Sequence, residues 1–293
     1  MLGLSECSIT EEGYRCLSEA VRSNPSHLIS LDLSGNDPGP SGVKLIYDLL
    51  EDTNCALNTV RLRSCGFSKE CCADLSSALN SNPSHLRHLN LSKNNLGTSG
   101  VNKLSDLLKN PQCKLKTLVL CGCSLTEKHC ARLISALCSN PSHLTHLNLS
   151  GNNLGTSGVN KLSDLLKNPQ CKLKTLVLRS CEKHCARLIS ALCSNPSHLT
   201  HLNLSGNNLG TSGVNKLSDL LKNPQCKLKT LVLRSCGFSK ECCAALSSAL
   251  NSNPSHLTHL NLSGNNLGTS GVNKLSDLLK NPQCKLKTLT EWL

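Results

Sequence analysis

The chain's 293 residues are 38% hydrophobic but only 2% aromatic, with Phe67, Phe238, Tyr14, Tyr47 and Trp292 as the whole aromatic set. That length predicts about two domains at ~150 residues each, while the shortage of rings excludes a conventional aromatic-rich core and a base-stacking platform for single-stranded nucleic acid. The formal net charge of +12 is uneven, because residues 1–58 carry three Lys/Arg against nine Asp/Glu (net −6) and the remainder 28 against ten (net +18).

The opening MLGLSECSIT lacks a basic start followed by an apolar stretch, so no signal peptide is expected. No apolar run approaches the ~18 residues of a membrane span, which makes a soluble, cytoplasmic chain the expectation. Leu2 and Leu4 match Leu118 and Leu120, so the chain opens inside a repeat and reads as a fragment of something longer. The segment Pro141 to Cys181 recurs unchanged at Pro196 to Cys236, and its first 36 residues recur at Pro254 to Leu289. Leucines opening each unit (Leu28, Leu57, Leu86, Leu115, Leu144, Leu173, Leu199, Leu228, Leu257, Leu286) are 29 residues apart, except for a step of 26 between Leu173 and Leu199. The whole chain, 1–293, is therefore expected to be a single repeat domain with about nine full units of 29 residues, one of 26, and partial units at both ends.

Within each unit, Leu144, Leu147 and Leu149 end in the alternation of a half-buried strand. Val159, Leu162, Leu165 and Leu166 then follow the three-to-four spacing of an amphipathic helix. Pro169 disfavours helical geometry at Asn168 and predicts the helix end there. A strand-helix unit this short cannot bury its own apolar faces, so units must stack into an α/β solenoid with parallel strands on its inner, concave face and helices on its outer, convex face. Two unit types alternate, one with Asn after the strand (Asn36, Asn94, Asn152, Asn207, Asn265) and one with Cys in that place (Cys7, Cys65, Cys123, Cys181, Cys236). Both columns are read as scaffold, since buried polar groups must be paired and free Cys packs as a small hydrophobe.

This alternation resembles the leucine-rich repeats of the ribonuclease-inhibitor type. The wording SNPSHLTHLNLSGNNLG and CKLKTLVLRSC is most similar to the C-terminal repeats of the NACHT and leucine-rich-repeat (NLR) immune receptors of fish, over essentially the whole chain. The resemblance implies a horseshoe and a non-enzymatic protein-interaction module, the ligand-sensing or autoinhibitory region of an innate immune receptor.

Several motifs invite chemistry and are set aside. Cysteines of one column sit two rungs apart, roughly 9.6 Å, beyond the ~7 Å limit for a bridge, so reduced thiols are expected. The run Cys181-Glu-Lys-His184-Cys185 has no second half for a zinc site. It exists because three residues present in other units are missing, together with the apolar plug supplied elsewhere by Ile9, Phe67, Leu125 and Phe238, and a weak point is expected there. Gly155, Gly158, Lys161 and Ser163 have the wrong spacing for a phosphate loop. A second histidine set (His27, His85, His143, His198, His256) is read as turn structure.

Function is expected on the inner face, at positions between the strand leucines. The candidate binding residues are Arg61, Arg63, His88, Asn90, His146, Asn148, Arg179, His201, Asn203, Arg234, His259 and Asn261, with Ser92, Ser150, Ser205 and Ser263 completing the Asn-type strands. Asp32 is the sole acid among these positions, so neither an acid/base pair nor a catalytic triad can be assembled. The expected partner is a protein ligand or a neighbouring receptor domain on the concave face, with an anionic ligand as an alternative occupant. No membrane partner, metal or cofactor is expected. Two other readings stay open: a stand-alone inhibitor like ribonuclease inhibitor, against which the positive charge argues, and a solenoid that binds nucleic acid through its basic portion.

Overall fold

The computed structural model describes residues 1–23, 28–83, 85–141, 143–181, 185–196, 198–253 and 256–290. The chain divides into two compact units, residues 1–153 and 154–293. In the first, β1 (Leu2–Gly3), β2 (Ser30–Asp32), β3 (Thr59–Arg61), β4 (His88–Asn90), β5 (Thr117–Val119) and β6 (His146–Asn148) alternate with α1 (Glu11–Ser23), α2 (Gly39–Glu51), α3 (Lys69–Ser81), α4 (Gly97–Lys109) and α5 (Glu127–Ser139). The second holds α6 (Gly155–Lys167), β7 (Thr175–Val177), α7 (Cys185–Ser194), β8 (His201–Asn203), α8 (Gly210–Lys222), β9 (Thr230–Val232), α9 (Lys240–Ser252), β10 (His259–Asn261), α10 (Gly268–Leu279) and β11 (Thr288–Thr290). Within each unit the strands pair in parallel with their sequence neighbours, Thr59 against His88 and His88 against Thr117 in the first, Thr175 against His201 and His201 against Thr230 in the second. Each unit is thus an open α/β solenoid of the expected kind.

The core lies between strands and helices. In one repeat Leu86, Leu89 and Leu91 point inward from the strand and meet Val101, Leu104 and Leu108 from the helix, all buried. Helix ends follow the sequence signals. Asn110, before Pro111, leaves helical geometry at φ −64, ψ 121, and Asn168 and Asn223 repeat the break. In two Cys-type units a hydroxyl caps the helix: the Ser68 side chain accepts from the Cys71 N–H, and Thr126 and His129 form a reciprocal capping box, whereas Ser239 makes no such bond. Asn-type helices lack a side-chain cap, and their first residue is a glycine at positive φ, as at Gly97 (φ 58).

One backbone requirement recurs in every repeat whose turn lies among the described residues. The seventh residue after the opening leucine is left-handed, and it is Gly35, Gly122 and Gly151 in some repeats but Ser64 (φ 53) and Lys93 (φ 59) in others. The chain turns there from strand to helix, and ladder bonds on both sides hold the turn: Leu91 N–H to Val119 C=O at 3.0 Å and Lys93 N–H to Cys121 C=O at 2.8 Å. The cost of ~1–2 kcal/mol for a side chain in this conformation is offset by those bonds.

The 26-residue repeat falls in the second unit. Residues 182–184, which include His184 of the zinc-like run, lie outside the described residues. The described part of helix α7, Cys185–Ser194, matches the last ten residues of α5 in sequence. Phe67, Leu125 and Phe238 plug the corresponding place in other repeats and are buried. Here a cavity of about 10 Å³ remains, lined by Leu154, Val159, Leu178, Cys181, Cys185, Leu188, Leu204 and Asn207. Its size is near that of one water, so the lining atoms lose packing contacts outright. Inserting Ser-Leu-Thr between Cys181 and Glu182, as in residues 124–126, should restore a buried leucine and a helix cap. Urea denaturation should then record a gain of about 2–3 kcal/mol, and an unchanged midpoint would show that the gap carries no cost.

Candidate interaction face

The strand face is built on a ladder of buried side-chain bonds beneath it. Asn152 accepts from the Cys123 and Leu125 N–H groups at 3.0 and 3.1 Å, and donates to the Leu120 and Leu149 carbonyls at 2.7 and 2.9 Å. Asn94 and Asn207 repeat the pattern. In the alternate repeats a thiol takes over the donation: Cys65 to Leu33 C=O at 3.4 Å, Cys123 to Leu91 C=O at 3.3 Å, and Cys236 to Leu204 C=O at 3.2 Å. Each of these repeats is thereby tied to the carbonyl just beyond the preceding strand. All twenty cysteines are unbridged. Of the paired cysteines that open α3 and α9, Cys72 and Cys243 face inward as expected, whereas Cys71 and Cys242 are half-buried.

Three rows of side chains run across the strands above this floor. The first row alternates His and Thr: Thr59, His88, Thr117 and His146 in the first unit, Thr175, His201, Thr230 and His259 in the second. The four histidines are exposed. His88 Nδ1 lies 2.9 Å from Thr117 Oγ1, and the Nδ1 atoms of His146 and His201 lie 2.8 Å from the hydroxyls of Thr145 and Thr200. The His88 pKa is lowered first by burial, then by the charges of Arg61 and Arg87. Arg61, Arg63, Arg87 and His88 are all exposed and form the most basic stretch of the first unit's face. In the second unit the exposed Arg179 and Arg234 end alternate strands.

The second and third rows correct the sequence reading. Asn90, Asn148, Asn203 and Asn261 are half-buried, and each Oδ1 accepts the N–H two residues on at 2.9–3.0 Å. Asp32 does the same for Ser34 at 3.0 Å, which explains why Asn and Asp share this column. These side chains close the strand ends and have only their remaining polar atoms for a partner. Ser92, Ser150 and Ser205 are buried, not solvent-facing. Strand alternation fails there because the chain is already turning, and the hydroxyls of Ser34, Ser92 and Ser205 accept the N–H of Arg63, Cys121 and Arg234 on the next rung. Arg87 was missed because it precedes the strand, although its position beside His88 follows from the register.

In the second histidine set one member is held in its turn by a backbone bond. His143 is buried with Nδ1 2.9 Å from Asn140 C=O. His27 lies outside the described residues. Among the described residues no group of three or more His, Cys, Asp or Glu is arranged to hold a metal. No helix among them is long and apolar enough to cross a membrane.

Fold and face together define a leucine-rich-repeat protein of alternating Asn and Cys units, and comparison with known proteins agrees. A family described as Leucine Rich repeat matches residues 24–46, 82–105, 140–163, 195–218 and 253–276, the Asn-type units. The chain is 42% identical to NACHT, LRR and PYD domains-containing protein 14 of Homo sapiens over 95% of its own length and 25% of that protein. It is 39% identical to NACHT, LRR and PYD domains-containing protein 3 of Homo sapiens over 98% of its length and 28% of that protein. The chain thus spans roughly a quarter of the length of these curated relatives. Among solved structures it shares the fold of the leucine-rich repeat-containing protein LegL7 from Legionella pneumophila, with a TM-score of 0.55 at 22% identity over 96% of this chain and 89% of that one.

Two predictions follow from the buried ladder. Replacing Asn152 by Ala strands two buried N–H groups and two carbonyls, and should cost about 3–5 kcal/mol in denaturant unfolding. The same change at the less buried Asn265 should cost distinctly less, and equal losses would contradict the burial argument. The pH dependence has two limits. Burial pushes Cys65 and Cys236 from 9.0 up to about 11 and Cys72, Cys123 and Cys185 up to about 12, so the neutral thiols contribute stability below pH 9 that is lost as pH rises through the folded values. Burial lowers His85, His143, His198 and His256 below 6.5, so their contribution is present above that pH and lost as it falls. Melting temperature should therefore be flat between these limits and fall on both sides; a continued rise above pH 9 would contradict the buried thiols.

Proposed function

We propose that this chain is the ligand-sensing or autoinhibitory repeat region of an NLR-type innate immune receptor, a cytoplasmic, non-enzymatic module that takes up protein through its strand face. The observation that carries this reading is the row of exposed His side chains, alternating with Thr and flanked by arginines, on a floor immobilised by the Asn and Cys ladder. Such a surface offers hydrogen bonds and positive charge at fixed spacing, with little conformational entropy left to lose on binding. The reading includes neither catalysis nor metal nor cofactor. The relatives' names place NACHT and PYD domains beside such repeats, which supports a neighbouring receptor domain as one occupant. The arginines Arg61, Arg63, Arg179 and Arg234 favour an acidic segment of that occupant, with a small anionic ligand as the alternative.

Site-specific photo-crosslinking tests the face. Benzoylphenylalanine placed at His146 or His201 in the receptor-length protein should give a discrete adduct with a partner protein or with another domain of the same chain. The same probe at Lys103 or Lys216, exposed on helices α4 and α8, should give none. Equal labelling from strand and helix faces would sink the assignment.

A further inference from the structure

The most uniform charged surface lies away from the strand face, at the edge of the second unit where helices hand over to strands. Three copies of Lys-Asn-Pro-Gln-Cys-Lys-Leu-Lys, at residues 167–174, 222–229 and 280–287, make this handover. Between them stand two copies of Ser-Asn-Pro-Ser-His-Leu-Thr-His, at 194–201 and 252–259, so the edge carries nine lysines and no carboxylate in these segments. Lys167 and Lys222 end their helices and have a structural role opposite the helix dipole. Lys280 pairs with Asp277 at 2.8 Å. No such role covers Lys172, Lys174, Lys227, Lys229, Lys285 and Lys287. All six are exposed, and among the described residues none lies within ion-pair distance of a carboxylate.

The loops that carry them share one hydrogen-bonded conformation. In each, the Asn Oδ1 accepts the Gln N–H at 2.9 Å, from Gln170, Gln225 and Gln283, and the Asn carbonyl accepts the following Cys N–H at 3.0 Å. The intervening loops are stitched to them, with Asn195 Nδ2 donating to Asn168 C=O at 3.1 Å and Asn253 Nδ2 to Asn223 C=O at 2.9 Å. Identical loops on rungs spaced by roughly 9.6 Å along the array set the lysines out as a grid rather than a line.

We propose that this lysine edge adsorbs to an anionic lipid bilayer. Lysine is a flexible point charge suited to a diffuse field of headgroup phosphates and carboxylates, whereas bidentate recognition of single anions uses arginine, and this edge has none. A repeated grid of point charges suits an extended charged surface, and these segments contain no Phe, Tyr or Trp to stack on a base. The attraction of each lysine to an acidic leaflet adds to the next, so six suffice for salt-sensitive binding without any inserted helix. The expectation of no membrane partner rested on the lack of an apolar span, which does not bear on adsorption at a charged surface.

Flotation of the full chain with vesicles tests this. Binding to phosphatidylcholine vesicles containing about 30% phosphatidylserine should exceed binding to phosphatidylcholine alone by about tenfold or more, and disappear near 0.5 M salt. Changing all six lysines to Gln should abolish it. A charge-matched control, with Lys44, Lys103, Lys128, Lys161, Lys216 and Lys274 on the helices changed to Gln, should retain it, circular dichroism verifying that both variants are folded. Equal loss in the two variants would overturn the edge in favour of net charge. Binding to a duplex RNA of about 20 base pairs with none to the acidic vesicles would overturn it in favour of nucleic acid.

Discussion

A short strand needs its last carbonyl satisfied, and everything else in this molecule depends on how that is done. Each strand is three residues long or less, and beyond it the chain turns under the next repeat, where water is excluded. A buried carbonyl left without a donor would cost about 1–3 kcal/mol at every rung. One Asn or one Cys per repeat, reaching back to the Leu carbonyl of its predecessor, removes that cost and fixes the rung spacing together. Asn also accepts two N–H groups, which the thiol cannot do, and this is why the types alternate. The Cys-type turn presents N–H groups that only a following Asn can receive.

The proposed recognition surface is a by-product of this arrangement. Because leucines and ladder side chains hold the inner layer, the outward positions of β3 to β6 and of β7 to β10 are set without reference to any ligand. Side chains there can vary while the scaffold stays constant. Within each unit the His and Thr row is regular, yet the third row differs from repeat to repeat, with Arg63, Cys121, Arg179 and Arg234 in equivalent places.

Most of the fold was legible because its signals are local and repeated. The 29-residue step, the leucine alternation, the three-to-four helix spacing and the Asn-Pro stop each act over a few residues, and all appear where the chain places them. The candidate face was legible only in part. His88, His146, His201 and His259 point outward as the alternation implies, but Asn90 and its counterparts turn half inward to accept a backbone N–H, and Ser92, Ser150 and Ser205 are buried. Simple alternation assumes an extended strand, and these residues stand where the strand has already ended. The left-handed position of Lys93 and Ser64 escaped notice for a related reason: glycine marks it in other repeats, and ladder bonds enforce it here without glycine.

The short repeat has an implication for how such chains diversify. Three residues are absent, yet Asn207 still reaches the Leu178 carbonyl at 2.6 Å and still receives the Cys181 N–H at 2.8 Å. The rung bonds on either side of the gap are in place despite the loss of three residues. Unequal genetic exchange between near-identical segments can therefore join repeats of different length at this one seam, reshuffling outward-facing residues while keeping a foldable protein.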